Sequence, residues 1–443
     1  MATRILIVGS GGREHALARR LTADGGVEIF TVPGNPGTAA LGENVALDAR
    51  DHAAVAAFCR QRDVALAIIG PEDPLIAGLA DDLREAGVDV FGPGAAGARL
   101  EGDKHFAKRI MDAAGVPTAA YSDHRDLESA LAALDAAAYP VVVKACGAAQ
   151  GKGVAVCADR ASAEAHLRHC FVDDGFGAAG RHVLIEECLT GPELSVLAVT
   201  DGEAYALLAP SRDHKRVGEG DAGPNTGGMG AFASGALVPA GLGEIICRDV
   251  IEPVLAELRR REIDYRGVLY AGLMLTPAGP QVLEFNCRFG DPETQVVLPL
   301  LRCGFTDLLR ATARGGLGAL LATLPSPVVG APEAWPGAGL TAWDRAAVVI
   351  VGAAEGYPGP YAKGRPITLP PDAGDDAWIV HAGTARHDDE LVTSGGRVLG
   401  AVGLGEDFAG ARREAYGLLD RVAFAGMHFR RDIGAGFAEE EAG

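Results

Sequence analysis

Aromatic side chains are sparse, 6% of 443 residues. They leave little for the stacking platforms that single-stranded nucleic-acid binders use. Basic residues are outnumbered, 40 Lys and Arg against 59 Asp and Glu, for a net charge of −19. That balance argues against a non-specific nucleic-acid binder or a polybasic membrane protein, but leaves room for local basic pockets that take small phosphates. No apolar run approaches membrane-span length, and the N-terminus enters a strand with no signal-peptide pattern. The eight cysteines stand singly and none forms Cys-x-x-Cys. A reduced, cytoplasmic chain is the simplest account. His166, His169 and Cys170 lie close together, but in a polar helical pattern without a second cluster, and are read as helix surface.

What is present is a globular chain, 48% hydrophobic and 22% charged, long enough for about three domains. Its organising stretch is Gln281 to Gln295, which begins as a strand and ends in a polar turn. Alternate side chains of a strand point the same way, so Glu284 and Asn286 share one face and Leu283 and Phe285 the other. A carboxylate beside an amide carbonyl is a hard oxygen pair of the type Mg²⁺ accepts. Arg288 follows as a fork suited to a carboxylate or phosphate, and Asp291 and Glu293 add two carboxylates.

Upstream, Arg4 to Val8 reads as a buried strand running into Gly9-Ser-Gly-Gly-Arg-Glu-His15 and then a helix. Strand, glycine loop and helix form a cradle for an anion. The third glycine of the dinucleotide fingerprint is replaced by Glu14, and no acidic residue ends the second strand, which disfavours a nicotinamide cofactor. Strand and helix patterns alternate to Phe91, predicting a doubly wound parallel sheet over residues 1–102. Ligands bind at the carboxyl ends of such strands, where the loops around Gly11, Gly12, Asn35 and Glu72 fall. Gly70-Pro-Glu-Asp-Pro reads as a rigid turn.

A helix from Asp103 carries Lys104 at its start, a candidate phosphate contact. Tyr139 to Lys144 reads as a strand with a lysine embedded after an apolar run, costly unless it meets an anion. The glycine-rich stretch through Gly151, Lys152 and Gly153 then reads as a mobile flap between two strands, without P-loop spacing. Glu186 and Glu187 end another apolar strand, whose backbone could read adenine, with Glu193 placed for ribose hydroxyls. Residues 210–230 form a long loop concentrating basic residues and glycines, including Asp213, Lys215 and Arg216, and long loops in compact domains are usually functional or disordered.

These stretches together resemble the phosphoribosylamine–glycine ligase (glycinamide ribonucleotide synthetase) family of the ATP-grasp superfamily. The resemblance rests on Gly9–His15, Pro33–Thr38, Gly70–Leu75, Val143–Val154, Glu186–Ser195, Asp213–Gly230 and Leu283–Gln295, in order along nearly the whole chain. It implies an ATP-grasp domain over 103–314 with a lid near 120–191, and a small β-rich C-terminal domain over 328–435. The implied reaction joins glycine to 5-phosphoribosylamine through glycyl phosphate, with ATP as co-substrate and Mg²⁺ or Mn²⁺ at Glu284 and Asn286. Lys104 and Lys144 would hold the α/β-phosphates, Arg288 the glycine carboxylate, and Gly11 and Gly12 the phosphoribosyl phosphate. Asp213 and Lys215 would position the small substrates. A monomer acting on small molecules, with no nucleic-acid or membrane partner, is expected. Two departures bear on the lid: Cys146 stands where the family often has Asp, and Gln150 where a small residue is usual. Tyr265 to Thr276 carries no carboxylate, which leaves the ligands of a second metal open.

The C-terminal part reads as an antiparallel cap with one helix from Phe408, with His381 and Arg397 structural and the tail Glu439 to Gly443 disordered. Three rivals stand beside the ligase reading: a carboxylase or formyl-phosphate ligase of the same superfamily, a dinucleotide-dependent oxidoreductase, and a nucleotide-binding regulator without turnover.

Overall fold

The computed structural model describes residues 2–147, 153–173, 175–326 and 330–437. Gln150, Gly151 and Lys152 of the expected flap, and the tail Glu439–Gly443, lie outside the described residues.

The N-terminal segment builds a five-stranded parallel sheet from β1 (Thr3–Gly9), β2 (Val27–Pro33), β3 (Glu43–Asn44), β4 (Leu66–Ile69) and β5 (Asp89–Phe91), in the order β3-β2-β1-β4-β5. Its centre is apolar because helices cover both faces: Ile5, Leu6, Ile7 and Val8 of β1 are all fully buried. Chain direction around the sheet reverses between β1 and β4, and their carboxyl ends carry the Gly11 loop and Glu72. The expected turn at Glu72 is instead a short helix, Glu72–Ile76.

A second sheet occupies the span expected of the lid: β6 (Tyr121–His124), β7 (Val141–Ala145), β8 (Val154–Cys157) and β9 (Val183–Glu187), in the order β6-β9-β7-β8. It has its own small apolar core, in which Val143, Cys157, Ile185 and the helix Arg160–Phe171 meet. Cys170 is buried in that core.

The largest sheet has nine strands: β10 (Glu193–Thr200), β11 (Tyr205–Leu207), β12 (Ser211–Asp213), β15 (Gly230–Ala233), β16 (Gly267–Thr276), β17 (Gly279–Asn286), β18 (Ala346–Ala353), β19 (Ala377–His381) and β22 (Arg397–Gly405). Its order is β17-β16-β10-β12-β15-β18-β22-β19, with β11 beside β10. The sheet is therefore shared by the segments 103–314 and 328–435, joined where β15 pairs with β18. Two hairpins lie off it, β13 (Arg216–Gly218) with β14 (Ala222–Asn225), and β20 (Thr384–His387) with β21 (Glu390–Thr393). The expected irregular loop over 210–230 is thus corrected to three short strands and part of a fourth. Runs of three or four residues broken by Gly and Pro carry too little periodicity to be read. One apolar core links β1 and β4 through β10, β16 and β17 to β18 and β22.

Candidate active site

The hairpin β16–β17 is not regular. Gly272 pairs with Glu284 and Leu273 with Val282, so Leu283 has no partner opposite. Such a bulge bends the strand and re-aims its side chains. Val282 and Phe285 are buried, while Glu284 is exposed and Asn286 half-buried on the wall of a cavity of about 520 Å³. The expected pairing of Leu283 with Phe285 on the buried face is corrected accordingly. Glu284 and Asn286 do share the cavity. Neither side chain makes a hydrogen bond or salt bridge among the described residues, so two hard oxygen donors stand uncommitted, which fits Mg²⁺ or Mn²⁺. The position opposite Glu284 is Gly272, which offers no ligand.

Facing them is a cationic wall. Lys104 opens the helix Lys104–Ala114 and lines the cavity with no side-chain bond among the described residues. Lys144, 8% exposed, meets Glu186 Oε2 at 2.8 Å and donates to the Leu283 carbonyl at 3.2 Å, so the bulge also holds this lysine. Lys108 was not singled out from the sequence. It lies 3.4 Å from Glu186 Oε1 and donates to Thr118 Oγ1 at 2.8 Å and the Ala119 carbonyl at 3.1 Å. Burial lowers its pKa despite Glu186.

Arg288 is held on three sides: Nε donates to Glu72 at 3.2 Å, Nη2 to Glu101 at 2.7 Å and Nη1 to the Phe289 carbonyl at 3.2 Å. Burial opposes its charge, but Glu101 and Glu72 outweigh that and raise its pKa. Burial in turn raises the pKa of Glu101. A guanidinium carries five N–H donors, so this grip leaves donors toward the cavity.

Lys215 reaches both Glu193 and Asp213, the latter at 2.9 Å. Burial opposes its charge, but Asp213 and Glu193 hold its pKa well above the ordinary value. Beside it, Tyr270 donates to Glu293 Oε1 at 2.6 Å and shares a 2.8 Å bond with Ser195. Burial first, then the Asp213 charge, push the Glu293 carboxyl up to about 7. Arg397, read as structural, also reaches the cavity: it donates to the Asp291 carbonyl at 2.7 Å and to the Gly227 carbonyl. Asp291 stays below the usual carboxylate range because Arg397 and Arg13 outweigh its burial.

Several expected site residues are placed elsewhere. Gly11 and Gly12 do not line the cavity. The Gly11 N–H donates to Glu14 Oε2, and a side chain at Gly12 would meet the Gln295 amide at 2.7 Å. The Asn35 amide is committed to the carbonyls of Ser10 (2.9 Å) and His381 (3.0 Å), while its oxygen caps the following helix. Asn35, like Gly11 and Gly12, does not line the cavity. Glu187 is exposed, its N–H donates to the Ala120 carbonyl and its carboxylate accepts from the Ala120 N–H. One carboxylate oxygen of Glu193, Oε2, is engaged by Lys215. Gly153 lies at the base of the β7–β8 hairpin, its carbonyl accepting from Ala145 N at 2.8 Å. Gly151 and Lys152 lie outside the described residues. His381 is structural as expected, its N–H donating to His15 Nδ1 at 2.8 Å. Glu101, Lys108 and Tyr270 were missed because partners that mark them are distant in the chain, and Arg13 because, beside its neighbour Glu14, it is held by Phe289 and Asp291.

Seven basic and eight acidic side chains line the cavity, a local balance unlike the acidic chain as a whole. Residues 3–101, 102–294 and 347–436 match the N, ATP-grasp (A) and C domains of phosphoribosylglycinamide synthetase. A phosphoribosylamine–glycine ligase of Nostoc sp. is 45% identical over 97% of this chain and 99% of its own. The chain belongs to the phosphoribosylamine–glycine ligase family. A solved member of that family, from Thermotoga maritima, superposes with a TM-score of 0.82 at 34% identity, covering 97% of this chain and 100% of the other. The biotin carboxylase domain of a Hydrogenobacter thermophilus 2-oxoglutarate carboxylase, 15% identical, shares the fold with a TM-score of 0.70 over 97% of this chain and 92% of the other. No described helix is long and apolar enough to cross a membrane.

Proposed function

We propose that this chain ligates glycine to 5-phosphoribosylamine, using ATP and passing through glycyl phosphate to give glycinamide ribonucleotide, ADP and phosphate. The observation that carries the reading is one cavity in which two uncommitted oxygen donors, Glu284 and Asn286, face Lys104 and Lys144, with Arg288 between them and the N-terminal sheet. Lys104 and Lys144 hold the α- and β-phosphates. The second is available once phosphate oxygens take over from Glu186. Glu284 and Asn286 would hold Mg²⁺ or Mn²⁺, whose charge supplies neutralisation as the γ-phosphoryl is transferred. Arg288, fixed by Glu72 and Glu101, turns its remaining N–H donors to the glycine carboxylate, so the chain's contribution is largely orientation. Asp213 and Lys215 position the substrates from β12 and its following turn. Glu293 lines the same cavity, its carboxyl raised by burial and the Asp213 charge, and would receive the proton the attacking amine must lose.

In this reading 1–102 is the substrate-binding unit, 103–314 the nucleotide-binding unit with its lid, and 328–435 the unit that completes the cavity through Arg397. The chain acts as a cytoplasmic monomer on small metabolites. Coupled ADP release, measured with all three substrates and with each omitted in turn, tests the assignment. ADP formation must need glycine and ATP, and full turnover must need the amine. Release that proceeds equally with bicarbonate or formate in place of glycine would favour the carboxylase-type rival, and a nicotinamide absorbance change would favour the oxidoreductase.

A further inference from the structure

A second cluster of ligand-type side chains lies beside the lid, outside the cavity just described. His105 sits in the first turn of the helix Lys104–Ala114, Asp123 on β6, and His182 immediately before β9. His105 Nδ1 is 3.0 Å from Asp123 Oδ2, and His182 Nε2 contacts Asp123 Oδ1. The two imidazole rings are 4.7 Å apart, tilted by 49°. One donor atom from each of the three residues lies within 4.8 Å of the others. A tetrahedral cation with bonds of about 2.0–2.2 Å keeps its ligands roughly 3.4 Å apart, so only small side-chain rotations separate this cluster from a coordination shell. His105 Nδ1 is buried and, despite its closeness to the carboxylate, finds no hydrogen-bond partner. The side chains are 23%, 31% and 20% exposed, open enough for an ion to enter.

The donor types discriminate among metals. Two imidazole nitrogens and one carboxylate suit Zn²⁺ and its neighbours, whereas Mg²⁺ prefers oxygen alone. We propose that His105, Asp123 and His182 form a site for Zn²⁺ or a similar borderline divalent cation, separate from the oxygen-donor site at Glu284 and Asn286. Cys146 ties the cluster to the flap: its N–H donates to the His182 carbonyl at 2.9 Å, and its own carbonyl accepts from Lys104 N at 2.9 Å. An ion there joins a helix of the main body to two strands of the lid sheet, and so pins the lid.

The test uses the full chain, stripped with chelator and kept in excess Mg²⁺ so that oxygen-donor sites are filled. Titration with Co²⁺ is expected to give the visible band of a low-coordinate, nitrogen-ligated ion at one equivalent, displaced by one equivalent of Zn²⁺. Competition with a chromophoric chelator should show His105→Gln and His182→Gln each weakening Zn²⁺ at least tenfold, and Glu284→Gln leaving it unchanged. Zn²⁺ should raise the melting temperature of the parent chain and not that of His182→Gln. Equal Zn²⁺ binding by the histidine variants overturns the proposal, as does loss of binding in Glu284→Gln. If neither histidine variant folds, absence of the Co²⁺ band in the parent chain overturns it alone.

Discussion

Glu284 is exposed and holds nothing in the protein together, so its substitution separates function from folding. Glu284→Ala is expected to lower turnover on the order of 100-fold at fixed Mg²⁺, with part of the loss recovered at higher metal, and to leave the melting temperature unchanged. Glu186 behaves oppositely. It lies between the buried ammonium groups of Lys108 and Lys144. Glu186→Gln therefore leaves two buried cations short of a counter-charge, and a destabilisation of about 3–5 kcal/mol is expected from urea unfolding. Glu293 supplies a pH signature. Its folded pKa, about 7, lies above the ordinary 4.5. Across that window the folded chain keeps a proton the unfolded chain has released, so stability falls as pH rises. Glu293→Gln should remove up to one proton's worth of that slope, about 1.4 kcal/mol per pH unit, in melts run from pH 5 to 7. The residues legible in the sequence were those with local spacing: Glu284 with Asn286, Asp213 with Lys215, and Arg288 after them. Glu101 and Lys108 were not, because what marks them is a partner brought by the fold from another element.

At the scale of elements, strands long enough to alternate were readable and the shape of the site was not. Period two places Glu284 and Asn286 together, but the bulge at Leu283 cannot be seen without β16 opposite it. The turn at Glu72 and the stretch 210–230 look irregular in sequence and are a short helix and a set of short strands. One of these, the β13–β14 hairpin, is held by the C-terminal segment. Arg430, 1% exposed, donates to the Arg216 carbonyl at 3.0 Å, to Asp221 at 2.8 Å and to Asp432. Arg430→Ala should free the hairpin locally: amide exchange over 216–225 is expected to accelerate at least tenfold, ahead of exchange in β10 and β16. Unchanged exchange there would remove the clamp from the account.

For the molecule as a whole, the resemblance in order along the chain anticipated the fold, but not that one sheet would cross two segments. Between the partners β15 and β18 the chain makes the β16–β17 hairpin and then runs through a Gly-, Ala- and Pro-rich stretch, residues 315–339, over which no pattern connects them. All eight residues of β18 are buried. A chain ended at Thr341 therefore exposes the β15 edge and the core behind it, and is expected to be insoluble or to lack a cooperative melt, as scattering and circular dichroism will report. The glycine loop after β1 has a consequence at this scale too. Glu14 is fully enclosed there, its carboxylate received by the Gly11 N–H and by Arg13 Nε at 2.6 Å. That is the seat a dinucleotide's pyrophosphate takes in folds of this shape. The seat is already taken by a resident negative charge, so an arriving diphosphate meets repulsion in place of welcome, and a scaffold shared with many oxidoreductases is closed to their coenzyme by a single acid.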